Sequence, residues 1–206
     1  MAQTRAGELE RQLPRFYSRD TPHRYERCDE EAGMRDVITT ERLRLRPLEI
    51  GDAPRVARLT SDAAVARNVG MIPVPHPAIC AEGWIAILKA RASLRADHVY
   101  AVTAPDEDLI GCVGARARGD GIFEIGYWFG RAYWGRGYAS EAAGAVVAQA
   151  RALGALVAGH YDDNPASGRV LEKIGFAYTG EVQQRFSLAR KEKVPTRMME
   201  YCGGIA

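Results

Sequence analysis

The sequence has few cysteines, no long apolar run and no large excess of either charge. Its four cysteines, Cys28, Cys80, Cys112 and Cys202, never stand at CxxC spacing, which argues against a disulfide framework or a zinc site. No apolar stretch approaches the roughly 20 residues that span a bilayer. A net charge of +2 favours neither nucleic acid nor a membrane surface as a partner. These absences predict a cytoplasmic protein with reduced thiols and no metal ion.

The first 36 residues lack the apolar periodicity of the remaining chain. They are dense in charges of both signs and contain no apolar segment of the secretory type. Two interpretations are open. The segment is a flexible tail, or one short helix, formed by Leu9, Leu13, Phe16 and Tyr17, docks on the domain or on a second copy. The sequence favours a flexible charged extension over residues 1–36 and one domain over residues 37–206.

From residue 37 onward, strand and helix patterns alternate. Strand patterns cover residues 40–48, 98–103, 109–117, 122–129 and 155–161, with two more between residues 176 and 201. Helix patterns cover residues 52–59, 79–94, 140–153 and 164–173. Short turn-rich gaps near residues 105–108 and 119–121 favour antiparallel hairpins. The predicted fold is α/β (α+β): a mixed, mostly antiparallel sheet of about seven strands with about four helices.

The chain also lacks an early GxGxxG pattern. Its glycine-rich turn comes late, after four predicted strands, and has only GxG spacing at Gly135 and Gly137. A dinucleotide-binding fold requires the full pattern near the start and an acidic residue about 20 positions later. The sequence therefore argues against a doubly wound Rossmann fold.

The most informative segment is IFEIGYWFGRAYWGRGYASEAA, residues 122–143. An apolar strand leads into the turn with Gly135 and Gly137, and a helix follows at once. Glycines let backbone N–H groups point outward, and a helix N-terminus adds partial positive charge. This order predicts a site for the phosphate groups of a nucleotide-like ligand.

A second block, NPASGRVLEKIGF, begins at Asn164 with a predicted N-cap, continues with Pro165 and stops at Gly175. Together with EIGYWF and YWGRGYASEA, it resembles the GNAT superfamily of acyl-CoA N-acyltransferases, RimJ/RimL-like branch, over residues 38–201. The resemblance implies the GNAT fold and direct attack of a primary amine on acetyl-CoA. The amine would belong to a protein N-terminus or a small molecule. Homodimers are common in that family.

The resemblance also implies which residues contact acetyl-CoA. Backbone N–H groups of the turn would hold the pyrophosphate, at Gly135, Arg136, Gly137, Tyr138 and Ala139. The preceding strand and the next helix cap would hold the pantetheine arm, through Tyr127, Trp128, Phe129 and Asn164. For Asn164, ligand contact and helix capping are equally compatible with its side chain.

Two residues are predicted to be catalytic. Glu124 matches the position of a strand Glu that serves as base in some family members, directly or through water; alternatively it only positions the amine. Ser167 would face the leaving thiolate, or it is an ordinary first-turn serine. The tyrosine acid of many family members is replaced by Leu171, and a late Glu base is missing from residues 183–186. These departures keep a second hypothesis open, a non-catalytic acyl-CoA-binding sensor or interaction module.

The acceptor side of the site is predicted from two loop segments. Residues 67–77 and 186–196 contain little acid and several Arg and Lys, which argues against polycationic acceptors such as polyamines or aminoglycosides. His76 lies in the proline-rich loop of the first segment, and His160 ends a strand near the expected acetyl group. A strand-end histidine is more often structural than catalytic.

Overall fold

The computed structural model describes residues 34–94 and 96–203, so residues 1–33 of the predicted extension lie outside the described part. Within these residues there are eight strands and five α-helices. The strands are β1 (Ile38–Thr39), β2 (Arg44–Pro47), β3 (Asp97–Ala104), β4 (Glu107–Gly119), β5 (Ile122–Phe129), β6 (Ala155–Tyr161), β7 (Phe176–Ser187) and β8 (Glu192–Tyr201). The helices are α1 (Ala53–Thr60), α2 (Ala63–Ala66), α3 (Ala78–Ser93), α4 (Tyr138–Ala150) and α5 (Pro165–Lys173). None of the helices in this part is both long and apolar enough to cross a bilayer.

All strands join one sheet in the order β1-β2-β3-β4-β5-β6-β8-β7. Only the β5–β6 pair is parallel, and every other neighbouring pair is antiparallel. The mixed, mostly antiparallel α/β fold predicted from the sequence is confirmed.

The element counts differ slightly from the prediction of about seven strands and four helices. The strand predicted over residues 40–48 begins only at Arg44, because residues 40–43 form a turn in which the Thr40 hydroxyl accepts from the Leu43 N–H at 3.0 Å. The extra strand, β1, precedes this turn. The extra helix, α2, is one short turn that Asp62 caps by accepting from the Ala64 N–H at 2.8 Å. Both differences come from local side-chain caps, which compete with longer regular elements.

Helices cover both faces of the sheet. Helices α4 and α5 pack on one face around buried residues such as Ile125, Val146 and Leu171. Helices α1 and α3 pack on the other face, where Val56 and Ile85 are fully buried. The alternation of side chains along each strand therefore directs successive residues of β5 to different cores.

The sheet opens where β5 and β6 diverge. Their pairing runs from Ile122 opposite Ala155 to Ile125 opposite Ala158 and then stops. Beyond this point β5 remains paired with β4 as far as Phe129, while β6 remains paired with β8 as far as Tyr161. The result is a wedge-shaped gap inside the sheet, with strand backbone exposed along its sides.

Candidate active site

Two cavities open from the wedge between β5 and β6. The loop cavity, of about 420 Å³, lies against the turn before α4 and is lined by residues including Gly135, Gly137, Tyr138 and Ala139. The sheet cavity, of about 400 Å³, lies over β4 and β5 and is lined by residues including His76, Gly114, Glu124 and Gly126. Six residues line both cavities: Asn68, Val69, Tyr127, Trp128, Asn164 and Ser167. Ligands in the two cavities would therefore meet between β5 and the start of α5.

The turn before α4 has the backbone geometry of an anion-binding loop. Gly135 and Gly137 have φ values of +73° and +80°, in the left-handed region that favours glycine. The N–H groups of residues 137–140 donate to no acceptor among the described residues, and they lie at the positive end of α4. A Cβ at Gly135 would find no atom within 4 Å, so this side of the loop is open. Phosphate binding by the loop stays a prediction.

The loop is braced by an ion pair that the sequence analysis missed. Glu141, in the first turn of α4, accepts from the Thr40 hydroxyl at 2.6 Å and from the Arg42 N–H at 2.9 Å. The Arg42 guanidinium pairs with Glu141 at 2.6 Å, donates to the Arg136 carbonyl at 3.0 Å and stacks on the Tyr138 ring. Burial raises the pKa of Glu141, and these hydrogen bonds lower it by more, so the carboxylate stays charged. The brace holds the backbone of the loop in place.

The three aromatic residues at the end of β5 lie on different faces of the sheet. Tyr127 and Phe129 pack toward α4, while Trp128 packs in the α1–α3 core, and all three line the loop cavity. The Arg136 side chain is exposed and lines neither cavity, so only its backbone is available to a ligand in the loop cavity.

The start of α5 places polar groups at the junction of the cavities. The Asn164 Oδ1 caps the helix by accepting from the Ser167 N–H at 3.3 Å, which leaves its side-chain N–H₂ group to donate elsewhere. The Tyr127 hydroxyl donates to the Ser167 carbonyl at 3.0 Å and lies 2.9 Å from the Ser167 Oγ. Capping and ligand contact by Asn164 are therefore compatible.

A tyrosine hydroxyl thus reaches the junction from β5 rather than from α5. Burial raises the pKa of Tyr127 to about 12, although the hydrogen bond with Ser167 lowers it, so the phenol keeps its proton at neutral pH. The position at which other family members carry a tyrosine holds Leu171, which is buried in the core. No signal in the sequence shows that the Tyr127 side chain would reach Ser167.

Glu124 lies in the sheet cavity between two arginines. It stands directly opposite Arg116 in the β4–β5 register, and its side chain is 13% exposed. One carboxylate oxygen accepts from Arg118 Nε at 2.5 Å and the other accepts from Arg185. Arg118 contacts its oxygen through Nε and a terminal nitrogen, so the lone pair left for a water or an amine is on the oxygen that accepts from Arg185. Glu124 and Ser167 line the same cavity, on β5 and α5.

The sheet cavity exists because its floor has no side chain. Gly126 stands opposite Gly114 in the β4–β5 register. His98 and Val99 of β3 take up the space at Gly114, whereas the space at Gly126 is open. A Cβ at Gly126 would meet no atom within 4 Å. The sequence predicted a strand around Gly126 but gave no indication of the cavity above this glycine.

His76 presents one ring nitrogen to the sheet cavity. Its Nδ1 lies 2.6 Å from the Thr60 Oγ1, and that hydroxyl donates to the Val56 carbonyl at 2.7 Å. Because Thr60 has a single hydroxyl proton, His76 must donate through Nδ1 and carry its lone pair on Nε2. His160 differs, since Tyr161 and Tyr178 engage both of its ring nitrogens.

We expect His76 to make the protein less stable in mild acid. Burial lowers the pKa of His76 in the folded state, whereas the unfolded chain keeps a value of about 6.5. The stability is therefore fully present above about pH 6.5 and declines as the pH falls through the lower folded value. Melting temperatures at pH 7.5 and pH 5 should differ less for His76→Gln than for the wild type. An equal difference would contradict a titrating His76.

The described part of the chain contains no cluster of side chains that could bind a metal ion. Among residues 34–94 and 96–203, no group of three or more His, Cys, Asp or Glu side chains is arranged to hold a metal ion.

Comparisons with known proteins agree with this architecture. Residues 42–177 match the model of the acetyltransferase (GNAT) domain. The uncharacterized N-acetyltransferase YnaD of Bacillus subtilis is 31% identical over 147 residues, covering 69% of this chain and 84% of that protein.

Two solved structures share the fold. An acetyltransferase of the GNAT family from Bacillus anthracis superposes with a TM-score of 0.67 at 24% identity, over 80% of this chain and 96% of that one. RimL, a ribosomal L7/L12 alpha-N-protein acetyltransferase solved with coenzyme A, superposes with a TM-score of 0.69 at 17% identity, over 80% and 96%. Since the domain match covers most of the sequence, the chain belongs to the GNAT family of N-acetyltransferases.

Proposed function

We propose that the protein transfers an acetyl group from acetyl-CoA, held in the loop cavity, to a primary amine held in the sheet cavity. The observation that carries this proposal is the meeting of the two cavities at Tyr127, Asn164 and Ser167. A thioester and an amine that approach from opposite sides would come within reacting distance at this junction. The solved complex of RimL with coenzyme A supports the choice of co-substrate.

The residues of the loop cavity fit the parts of acetyl-CoA. The free N–H groups of residues 137–140 suit the pyrophosphate, and the open side of Gly135 permits close approach. Residues 126–129 pair with β4 on one side only. Apart from the Phe129 carbonyl, which accepts from the Trp134 indole, their other backbone edge suits the amides of the pantetheine arm, which would bind as an added strand. Arg169 and Lys173 line the outer part of the cavity and suit a further phosphate. When bound, acetyl-CoA supplies the reactive acetyl thioester.

Ser167 and Tyr127 would assist departure of the thiolate. Since the Tyr127 proton is donated to the Ser167 carbonyl, the Ser167 hydroxyl donates to the Tyr127 oxygen, and rotation of this hydroxyl would turn its proton toward a developing thiolate at the cavity junction. Hydrogen bonds to a developing anion are stronger than those to a neutral group, so donors here favour the transition state. Tyr127 fixes the position of Ser167 and keeps its own proton at neutral pH.

Glu124 would accept the proton of the acceptor amine, directly or through a water. Its side chain lines the sheet cavity, one of its oxygens keeps a lone pair that no arginine takes, and the two arginines hold its carboxylate in one orientation. His76 is a second proton acceptor in the same cavity, favoured by the lone pair on its Nε2. The pH dependence of kcat/KM distinguishes Glu124 from His76 as the base. Replacing the true base removes the part of the profile in which activity falls as that base becomes protonated, and replacing the other residue does not.

We expect Ser167→Ala and Tyr127→Phe each to lower kcat about 10- to 100-fold, because each removes or misplaces a hydrogen bond worth about 1.5–3 kcal/mol when the acceptor is charged. The double variant should lose less than the product of the single losses, since the two hydroxyls form one hydrogen-bonded unit. Thiol release measured at saturating acetyl-CoA gives kcat, and calorimetry should give CoA affinities close to that of the wild type. Unchanged kcat in both single variants would contradict the assigned role.

The function itself is tested with acetyl-CoA and a panel of acceptors. The panel contains small primary amines and peptides with free N-termini, because both classes are open for this chain. Thiol release together with a mass increase of one acetyl group on an acceptor would support the proposal. CoA binding without turnover on any amine would instead favour an acyl-CoA-binding sensor, the alternative suggested by the missing family Tyr and Glu.

A further inference from the structure

Around the sheet cavity, three carboxylates are each shared by two arginines. The three groups are Asp97 with Arg91 and Arg116, Glu124 with Arg118 and Arg185, and Asp163 with Arg67 and Arg190. In each group one carboxylate faces two guanidinium groups, which leaves one positive charge in excess. The Asp163 group adjoins Asn68 and Asn164, which line the cavity. The Asp97 and Glu124 groups supply Arg116, Arg118 and Glu124 to the lining of the sheet cavity, so these two groups carry an excess of two positive charges on the acceptor side.

Part of this excess positive charge lies in the wall of the sheet cavity. Arg116 and Arg118 both line the sheet cavity and both adjoin Glu124, Arg116 as its partner in the β4–β5 register and Arg118 through a hydrogen bond. Arg91 already binds both oxygens of Asp97, at 2.6 Å and 3.0 Å. Arg116 reaches Asp97 only through Nε, at 3.3 Å, so its terminal nitrogens donate to no acceptor among the described residues. These nitrogens are donors without a protein partner at the cavity wall.

In the Asp97 group, the second arginine, Arg116, is not needed to neutralise the carboxylate. Asp97 is 1% exposed, and Arg91 alone provides a bidentate partner for it. A second guanidinium beside the same carboxylate is repelled by the first, so it adds little to the stability of the fold. An anion bound in the cavity would turn this repulsion into attraction, and a carboxylate fits the planar fork of arginine.

We propose that the amine acceptor is a small molecule that also carries a carboxylate, and that Arg116 and Arg118 bind this carboxylate. The inference rests on the proposed function and names the substrate class for the same site. The amine nitrogen would lie above Gly126, where the floor of the cavity is bare. Gly126 is two residues from Glu124, about 7 Å along the strand, a span that a small amino acid can bridge.

In the reaction, the amine nitrogen forms a bond to the acetyl carbon and the carbon–sulfur bond breaks. The nitrogen loses one proton to the base of the sheet cavity, and the sulfur gains one from the hydroxyls at the junction or from water. The carboxylate of the acceptor stays unchanged and serves only to hold the molecule. The cavity volume of about 400 Å³ is in the range of small-molecule sites.

Matched pairs of acceptors test the inference. Each pair shares the amine but differs in the carboxylate: lysine and cadaverine, ornithine and putrescine, glycine and glycinamide, β-alanine and β-alaninamide. We expect the carboxylate-bearing member of at least one pair to be acetylated with a kcat/KM at least about tenfold higher than its partner, as a charged bidentate hydrogen bond provides. Equal or faster acetylation of the carboxylate-free members would overturn the inference. Short peptides with free N-termini form a separate arm, and activity confined to them would also overturn it.

The variants Arg116→Gln and Arg118→Gln test whether these two arginines cause the preference for an acceptor with a carboxylate. Both should fold, because Asp97 keeps Arg91 and Glu124 keeps Arg185. The preference for the carboxylate-bearing acceptor should fall at least about fivefold in each, through KM. Acetylation of the carboxylate-free partner should change little in Arg116→Gln, whereas Arg118→Gln, which also releases one oxygen of Glu124, should slow acetylation of both partners. Arg197→Gln is the control, because Arg197 is exposed, pairs with Asp162 and lines neither cavity.

The possible failures are distinguishable. An unchanged preference in both variants overturns the assignment to Arg116 and Arg118. Acetylation of amines without any carboxylate preference overturns the substrate class but leaves acetyl transfer intact. Calorimetric binding of CoA with no acetylation of any amine or peptide contradicts the proposed function, and the inference falls with it.

Discussion

Replacing Gly126 with leucine is expected to abolish acetyl transfer while CoA binding persists. Gly126 forms the bare floor of the sheet cavity, and no atom lies within 4 Å of the position that a Cβ would occupy. A leucine side chain would extend into this space, where we propose that the acceptor amine lies. Displacing a reacting group by as little as 1 Å costs about 100-fold in rate, so kcat/KM should fall by about 100-fold or more.

The substitution should leave the fold intact. Gly126 lies in β5 between Ile125 and Tyr127 and does not require the left-handed conformation, so a larger residue adopts its backbone without strain. Gly126→Ala is the matched control, because a single methyl group fills little of the cavity. Melting temperatures should be similar for the three proteins, and calorimetry should give CoA affinities within about threefold of one another. Full activity of Gly126→Leu would show that the amine does not pass through the sheet cavity.

The order of helices and strands was predictable because the residues that begin and end each element are close to it in the sequence. Asn164, Pro165 and Gly175 mark the limits of α5, and the helix spans Pro165–Lys173 as that pattern requires. The glycine turn and the helix after it were likewise predicted from residues that are neighbours in sequence. The interruption at residues 40–43 was missed, because a strand pattern does not reveal that the Thr40 side chain will cap a turn.

The chemistry of the site was less predictable, because it depends on contacts between distant segments. Glu124 was selected from its strand position, but its arginine partners come from β4 and from Arg185, 61 residues away. The contact between Tyr127 and Ser167 joins residues 40 positions apart. A single sequence gives no register between such segments, so side chains that meet across the sheet cannot be paired from it. The excess of arginine was visible in composition, but its sharing of carboxylates was not.

Replacing Gly135 with aspartate is expected to weaken CoA binding about 100-fold or more. The new carboxylate would lie on the open side of the loop, next to the free N–H groups at the start of α4. Two like charges about 4 Å apart repel by about 4 kcal/mol at an effective dielectric constant of 20, and each 1.4 kcal/mol is tenfold in affinity. The carboxylate would also compete for the N–H groups that we propose bind the pyrophosphate.

Gly121→Asp separates this effect from backbone strain. Gly121 has a φ of +71°, close to the +73° of Gly135, and a Cβ there also meets no atom within 4 Å. Aspartate tolerates this region, as Asp106 and Asp120 of this chain show with φ values of 59° and 51°. Both variants therefore carry the same added charge and similar strain, but Gly121 lies in the β4–β5 hairpin and lines neither cavity. If calorimetry finds CoA affinity lost only in Gly135→Asp, the loop is the phosphate site; equal affinities in both variants would exclude it.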